Sequence, residues 1–166
     1  MSASIEITVT VPEVLVNSAV VRLKIENALT RKTGPDMMRL FNKTTDSWET
    51  RVNFYQRSKN ISGYVSVTVY TRSQVYGYVN FGTPAHTITA KRPSGLLRFQ
   101  PGYSPATRPK ILSSRTKRRS GPIIETYSVE HPGAEAREFD LAVAEEIAES
   151  FAEDVQEAIS LGASVF

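Results

Sequence analysis

The chain has no cysteine, which excludes disulfides, thiolate metal sites and cysteine catalysis. Histidine is nearly as scarce: only His86 and His131 occur, each beside a turn. A metal site or a catalytic base needs convergent partners, such as a second histidine four residues along a helix, and neither residue has one. A local turn hydrogen bond is the expected role of both. Gly82, Gly95 and Gly102 are not followed by Gly-Lys-Ser/Thr, so no phosphate-cradling loop is formed, and no nucleophile elbow is present. No apolar run approaches the length of a membrane span. Met1 to Glu6 lacks the charged and apolar regions of a signal peptide. The expectation is a chain that is not an enzyme and carries no cofactor and no metal.

Charge of one sign is missing from two stretches. Between Tyr103 and Pro122 lie Arg108, Lys110, Arg115, Lys117, Arg118 and Arg119, with no acid among them. From Glu130 to Glu157 there are ten acids against Arg137 alone. A net charge of +3 therefore conceals a cationic segment followed by an anionic one. With 166 residues, 40% hydrophobic and 22% charged, the chain is long enough for one domain with a real core.

Hydrophobic periodicity then assigns elements. Ile5, Ile7, Val9 and Val11 alternate with polar residues, which predicts a first strand over Ile5–Val11. Pro12 ends it. Val14, Val21, Ile25, Ala28 and Leu29 share one helical stripe, so a helix is expected from Glu13 to about Lys32, stopped by Gly34-Pro35. A short helical turn over Asp36–Phe41 follows. Val52–Tyr55, Tyr64–Tyr70 and Val75–Phe81 read as antiparallel strands with a valine face, and Lys59 to Gly63 as a break. Tyr55, Tyr64, Tyr70, Tyr76 and Tyr78 then line the opposite face, which suits either a half-exposed sheet or a subunit interface. Ile123–Val129 is expected to join the same sheet. From about 100 to 122 nothing is periodic, and prolines, glycines, serines and six cations fill the stretch, so a long basic loop is expected. The last helix is expected over Phe139–Ile159, with Glu145, Glu149, Glu153 and Glu157 as an i, i+4 acidic row and Gly162 as its stop. The fold class is α+β: a single domain over 1–166, an antiparallel β meander covered by an N-terminal and a C-terminal helix.

Three separated pieces carry a resemblance. They are Tyr78 to Thr83 followed by His86-Thr87-Ile88; Leu96 to Phe99; and Val129 to Gly133 followed by Arg137 and Phe139. In that order, with the leading helix and Thr44 to Ser47, they resemble the neck or tail-completion proteins of tailed double-stranded DNA bacteriophages. These are small minor tail proteins involved in head–tail joining. The resemblance runs from about Glu13 to Phe151. Val79, Phe81, Gly82, Thr83, His86, Phe99, His131, Pro132 and Gly133 match as folding motifs. The chain departs from the pattern in its long basic excursion and in Asp140, where apolar and proline residues are often found.

The resemblance implies a structural virion protein that completes or caps the head-proximal end of the tail and joins it to the neck. It implies a homo-oligomeric ring, with hexameric symmetry. The implied partners are other neck and tail proteins: the head–tail connector, the tail terminator and the tail tube. DNA in the channel is a further possible partner, and no membrane is implied. Its expected location is the virion, in the tail and neck region, and the host cytoplasm during assembly. The alternative, from charge alone, is a nucleic-acid-binding domain using the basic loop 108–119. A hydrolase would need a cluster of perturbed titratable groups in one pocket. The six cations could meet the acidic row of a neighbour or DNA, and in a free subunit the loop from Ser104 to Gly121 is expected to be loosely held.

Overall fold

The computed structural model describes residues 4–10, 19–61, 64–92, 95–104, 107–112 and 118–163. It is an α+β domain with antiparallel strands and with helices at both the N-terminal and C-terminal sides. Strand β1 (Ser4–Thr10) precedes α1 (Ala19–Ala28), which runs through a π-helical segment (Leu29–Thr33) into α2 (Gly34–Thr45). Strands β2 (Phe54–Ile61) and β3 (Tyr64–Thr71) follow, then α3 (Gln74–Phe81). The main sheet has three strands in the order β1-β3-β2, so the first strand enters beside β3 instead of extending a meander in chain order. Its register sets Ile5, Ile7 and Val9 opposite Val69, Val67 and Val65.

The helix does not stop at Gly34-Pro35. Proline lacks an N–H and its ring crowds the carbonyl four residues back, which normally breaks a helix. Here the turn widens, and Gly34 N–H donates to the Leu29 carbonyl, five residues back. The Thr30 carbonyl is then left over, because its next donor position is Pro35. Gln56 reaches across from β2 and donates its amide Nε2 to that carbonyl at 2.8 Å. A side chain from the sheet thus repairs the helix. The predicted stripe is buried where it is described: Val21, Ile25 and Leu29, joined by Met37, Leu40 and Phe41 of α2. Val14 and the rest of 11–18 lie outside the described residues.

Two predicted strand segments are corrected. Val75–Phe81 is helical. Ser73 caps it, accepting from the Tyr76 N–H at 3.2 Å. The alternation that suggested a strand is misleading because its intervening residues are aromatic too. On a helix the same residues split differently, with Tyr76, Gly77 and Asn80 buried and Val75, Tyr78 and Phe81 exposed. The tyrosine face is accordingly broken up: Tyr76 is a core residue at 0% exposure, and Tyr78 lies outside the sheet. The second correction is Ile123–Val129, which splits into two short strands that pair outside the main sheet. The break expected at Lys59 to Gly63 also moves, since β2 continues to Ile61, held by pairing along all of β3.

Tyr76 is the centre of the core. Its ring meets Phe54 edge-on at 5.1 Å, Trp48 at 5.9 Å, Phe139 at 5.9 Å and Phe41 at 6.2 Å. These rings come from α2, the segment after it, β2 and the start of the last helix, α4 (Phe139–Ala163), so one side chain ties four parts of the chain together. Gly162 stands at the C-terminal end of α4, which is described to Ala163. A Cβ there would meet Val21 Cγ2 at 2.7 Å, so its lack of a side chain lets α4 and α1 approach closely.

The Tyr76 hydroxyl donates to Thr44 Oγ1 at 3.3 Å, while Thr44 donates to the Phe41 carbonyl at 2.7 Å. Burial pushes the Tyr76 phenol well above its ordinary range. Above about pH 10 the unfolded chain releases this proton while the folded chain retains it, so stability falls as pH rises. The Lys32 amine, raised chiefly by its hydrogen bond to Glu157, acts with the same sign. Tyr76→Phe is expected to cost about 1 kcal/mol at neutral pH and to make the alkaline decline shallower. Urea unfolding of both proteins at neutral and at alkaline pH measures this. An identical alkaline slope would contradict the assignment.

Candidate interaction surface: a ribbon arm and its anchoring knot

From Thr83 the chain leaves the body as a two-stranded antiparallel ribbon. The outgoing strands are β4 (His86–Thr89), β5 (Leu97–Phe99) and β6 (Gly102–Ser104). The returning strands are β7 (Arg118–Ser120), β8 (Ile124–Thr126) and β9 (Ser128–His131). They pair in nested order, β4 with β9, β5 with β8 and β6 with β7. Pro101 and Pro122 fall where the ladder is interrupted, as residues lacking an N–H donor must. The stretch from 100 to 122 is therefore not one structureless loop, because its two ends pair with each other.

The ribbon is anchored by a polar knot. Asn80, at 0% exposure, lies in the last turn of α3. Its carbonyl accepts from the N–H groups of Arg137 at 3.1 Å and Glu138 at 3.0 Å. Its side-chain Oδ1 accepts from the Asp140 N–H at 3.2 Å. Asn80 thus caps the N-terminus of α4 from another helix, satisfying donors that every helix start leaves free. Its Nδ2 is buried with no partner among the described residues. Next to it, Thr83 and Ala134 exchange backbone hydrogen bonds at 2.9 and 3.0 Å. The glycines flanking this bridge are required by it. A Cβ on Gly82 would meet the Ala134 carbonyl at 2.6 Å, and one on Gly133 would collide with the Thr83 carbonyl. Both also have positive φ, 73° and 91°.

The two histidines face each other across the first ribbon pair, with ring centroids 5.1 Å apart. His86 Nδ1 donates to the Pro84 carbonyl at 2.9 Å. His131 Nδ1 accepts from the Gly133 N–H at 3.0 Å, which fixes it as the unprotonated ring nitrogen. These are local turn bonds. Among the described residues no group of three or more histidines and acids is placed to hold a metal ion. A shallow, open groove along α2, lined by Pro35, Met38, Arg39, Asn42, Lys43 and Asp46, contains neither histidine. No helix among the described residues is long and apolar enough to cross a membrane.

Of the basic residues, Lys110 is held by the body. Its N–H donates to the Arg137 carbonyl at 2.8 Å, and its Nζ lies 3.5 Å from Glu138 Oε2. Lys110 and Glu138 both have positive φ, 55° and 50°, a conformation that non-glycine residues rarely adopt. Thr107 is buried, and Leu112 packs against the core. Within the stretch from Ser104 to Gly121, residues 107–112 thus meet the body: Leu112 packs against the core and the Lys110 N–H bonds to Arg137, just before α4. Arg108 is exposed. Arg118 and Arg119 are placed by their backbone in β7, while Arg115 and Lys117 lie outside the described residues.

The acidic row divides. Glu157 accepts from Lys32 Nζ at 2.6 Å, and Asp154 accepts from Thr33 Oγ1 at 3.0 Å. Glu145, Glu149 and Glu153 are exposed, with no ion pair among the described residues. Sequence reasoning missed Asn80 and Tyr76 as organising residues. The Ser73 cap signal was the one available clue, since it converts the next residues from a strand to a helix.

The ribbon also exposes apolar side chains: Leu96 at 49%, Ile123 at 52%, Ile124 at 38% and Tyr127 at 67%. Leu97 and Phe99 are half-buried beside them. Comparison with protein-family models, with curated proteins and with solved structures found no match to this chain.

Gly133→Ala is expected to cost more than the roughly 1 kcal/mol of a φ penalty alone, because the new Cβ collides with backbone. Gly133→Asn separates the two causes. Asparagine tolerates positive φ, so recovery to near wild-type stability in thermal unfolding would show that conformation, not close approach, sets the requirement.

Proposed function

We propose that this chain is a structural protein of a tailed-bacteriophage virion, a ring subunit that completes the head-proximal end of the tail and joins it to the neck. The observation that carries the reading is the arm. A two-stranded ribbon presents Leu96, Ile123, Ile124 and Tyr127 to solvent, and its base is locked by the residues on which the resemblance rests. Val79, Gly82 and Thr83 meet Gly133, Ala134 and Arg137 in one knot, although some fifty residues separate them. Exposed apolar side chains gathered on one arm suit a binding site for protein. The knot is geometry for holding an arm: the Asn80 oxygens and the Thr83 and Ala134 backbone groups are all engaged in hydrogen bonds that tie its two sides together. A ring requires heterologous contacts, in which one patch of a subunit meets a different patch of the next. An arm that leaves the body and carries unpaired apolar side chains supplies one such patch.

Virions should therefore contain the chain in ring stoichiometry at the head–tail junction. Particles made without it should yield filled heads and tails that do not join. Mass spectrometry of purified particles, with electron microscopy of the deletion lysate, reads both. A chain absent from virions, or joined particles without it, would sink the reading. Tyr127→Asp with Ile124→Asp, on the exposed arm, should leave thermal stability within about 0.5 kcal/mol of wild type but reduce joining.

A further inference from the structure

We propose that the outer face of the three-stranded sheet is a docking surface for the exposed face of α4 from a second copy of this chain. The inference deepens the ring reading above and rests on it. The register of β2 and β3 puts Tyr55, Arg57 and Lys59 beside Tyr70, Thr68 and Ser66, on the face opposite the buried Val65, Val67 and Val69. Tyr55 and Tyr70 lie with ring centroids 5.6 Å apart. Arg57 sits over the Tyr70 ring at 5.8 Å and Arg72 over the Tyr55 ring at 5.7 Å. Stacking fixes each guanidinium in place while leaving its N–H donors without a carboxylate among the described residues. Arg57, Lys59 and Arg72 are all exposed. Beneath Lys59, the Ser66 hydroxyl is buried with no hydrogen-bond partner among the described residues. The backbone register of β1 sets Glu6 opposite Thr68.

The occupant is argued from charge complementarity. Glu145, Glu149 and Glu153 form an exposed row on α4 without ion partners among the described residues. They cannot reach the cations within one chain, because α4 packs on α1 and α2 while the cations lie on the far face of the sheet. The spacings match. Residues two apart on a strand are about 6.7 Å apart, and residues four apart on a helix are about 6 Å apart. A helix laid along β2 therefore meets Arg57 and Lys59 with successive carboxylates. Arginine and tyrosine are also the side chains that most often anchor protein interfaces. Front-to-back docking of this kind uses two different patches, so it propagates and can close a ring.

Sedimentation of the full chain over a concentration series tests this with two charge reversals. Arg57→Glu with Lys59→Glu, and Glu149→Lys with Glu153→Lys, should each weaken association at least about tenfold. The chain carrying all four substitutions restores opposite charges and should regain association, which a variant damaged in folding would not do. Association should also weaken with salt. Reversals that associate as wild type does would overturn the docking and leave the ring reading standing. A wild-type chain that stays monomeric at the highest attainable concentration would overturn the docking whatever the virion experiment gives. Failure to find the chain in virions is a separate result, and it bears on the function alone.

Discussion

The bond set of Asn80 is the constraint on which the rest of this structure depends. A helix start exposes N–H groups that must find acceptors, and burying them without partners is costly. Here the acceptors are the carbonyl and side-chain oxygens of a residue at the end of a different helix. That arrangement fixes α3 against α4, and it holds Thr83 beside Ala134 at the point where the ribbon leaves the body. One turn earlier in α3, Tyr76 joins four aromatic rings from the rest of the core. A single short helix therefore couples the hydrophobic core, the long helix and the arm.

Polar groups at three places in the fold are satisfied from a distance. Gln56 completes the widened helical turn before Pro35, Lys32 holds Glu157, and Lys110 docks the arm on Arg137. These contacts differ in weight. The bond from Gln56 fills a need created by a missing donor, so its loss leaves a carbonyl unpaired. The ion pair of Lys32 is exposed and worth little alone. The docking of Lys110 combines a backbone bond with strained conformations on both sides, a combination that persists only where surroundings enforce it.

The surface is organised by the same division. Helices cover the valine face of the sheet, which leaves stacked arginines and tyrosines on the other face. Glu145, Glu149 and Glu153 of α4 are exposed. The arm carries apolar side chains that the body does not cover.

By itself the sequence determined the α+β class, the helical stripe of Val21, Ile25 and Leu29, the valine strand and the last helix. Those elements are long and strongly periodic, and burial of one face follows directly from the pattern. It also marked Gly82, Thr83 and His131 to Gly133 as special. Tertiary structure alone decided the rest. Val75 to Phe81 satisfies both periods in a short window, and beyond the Ser73 cap it is the core, which accepts Tyr76 and Asn80 on one side of a helix, that chooses between them. Proline's stop signal at Gly34-Pro35 failed because Gln56, distant in sequence, supplies the missing bond. Ile123–Val129 read as extended from its sequence, but the pairing that makes a ribbon was hidden, because contacts as distant as His86 with His131 leave no local trace.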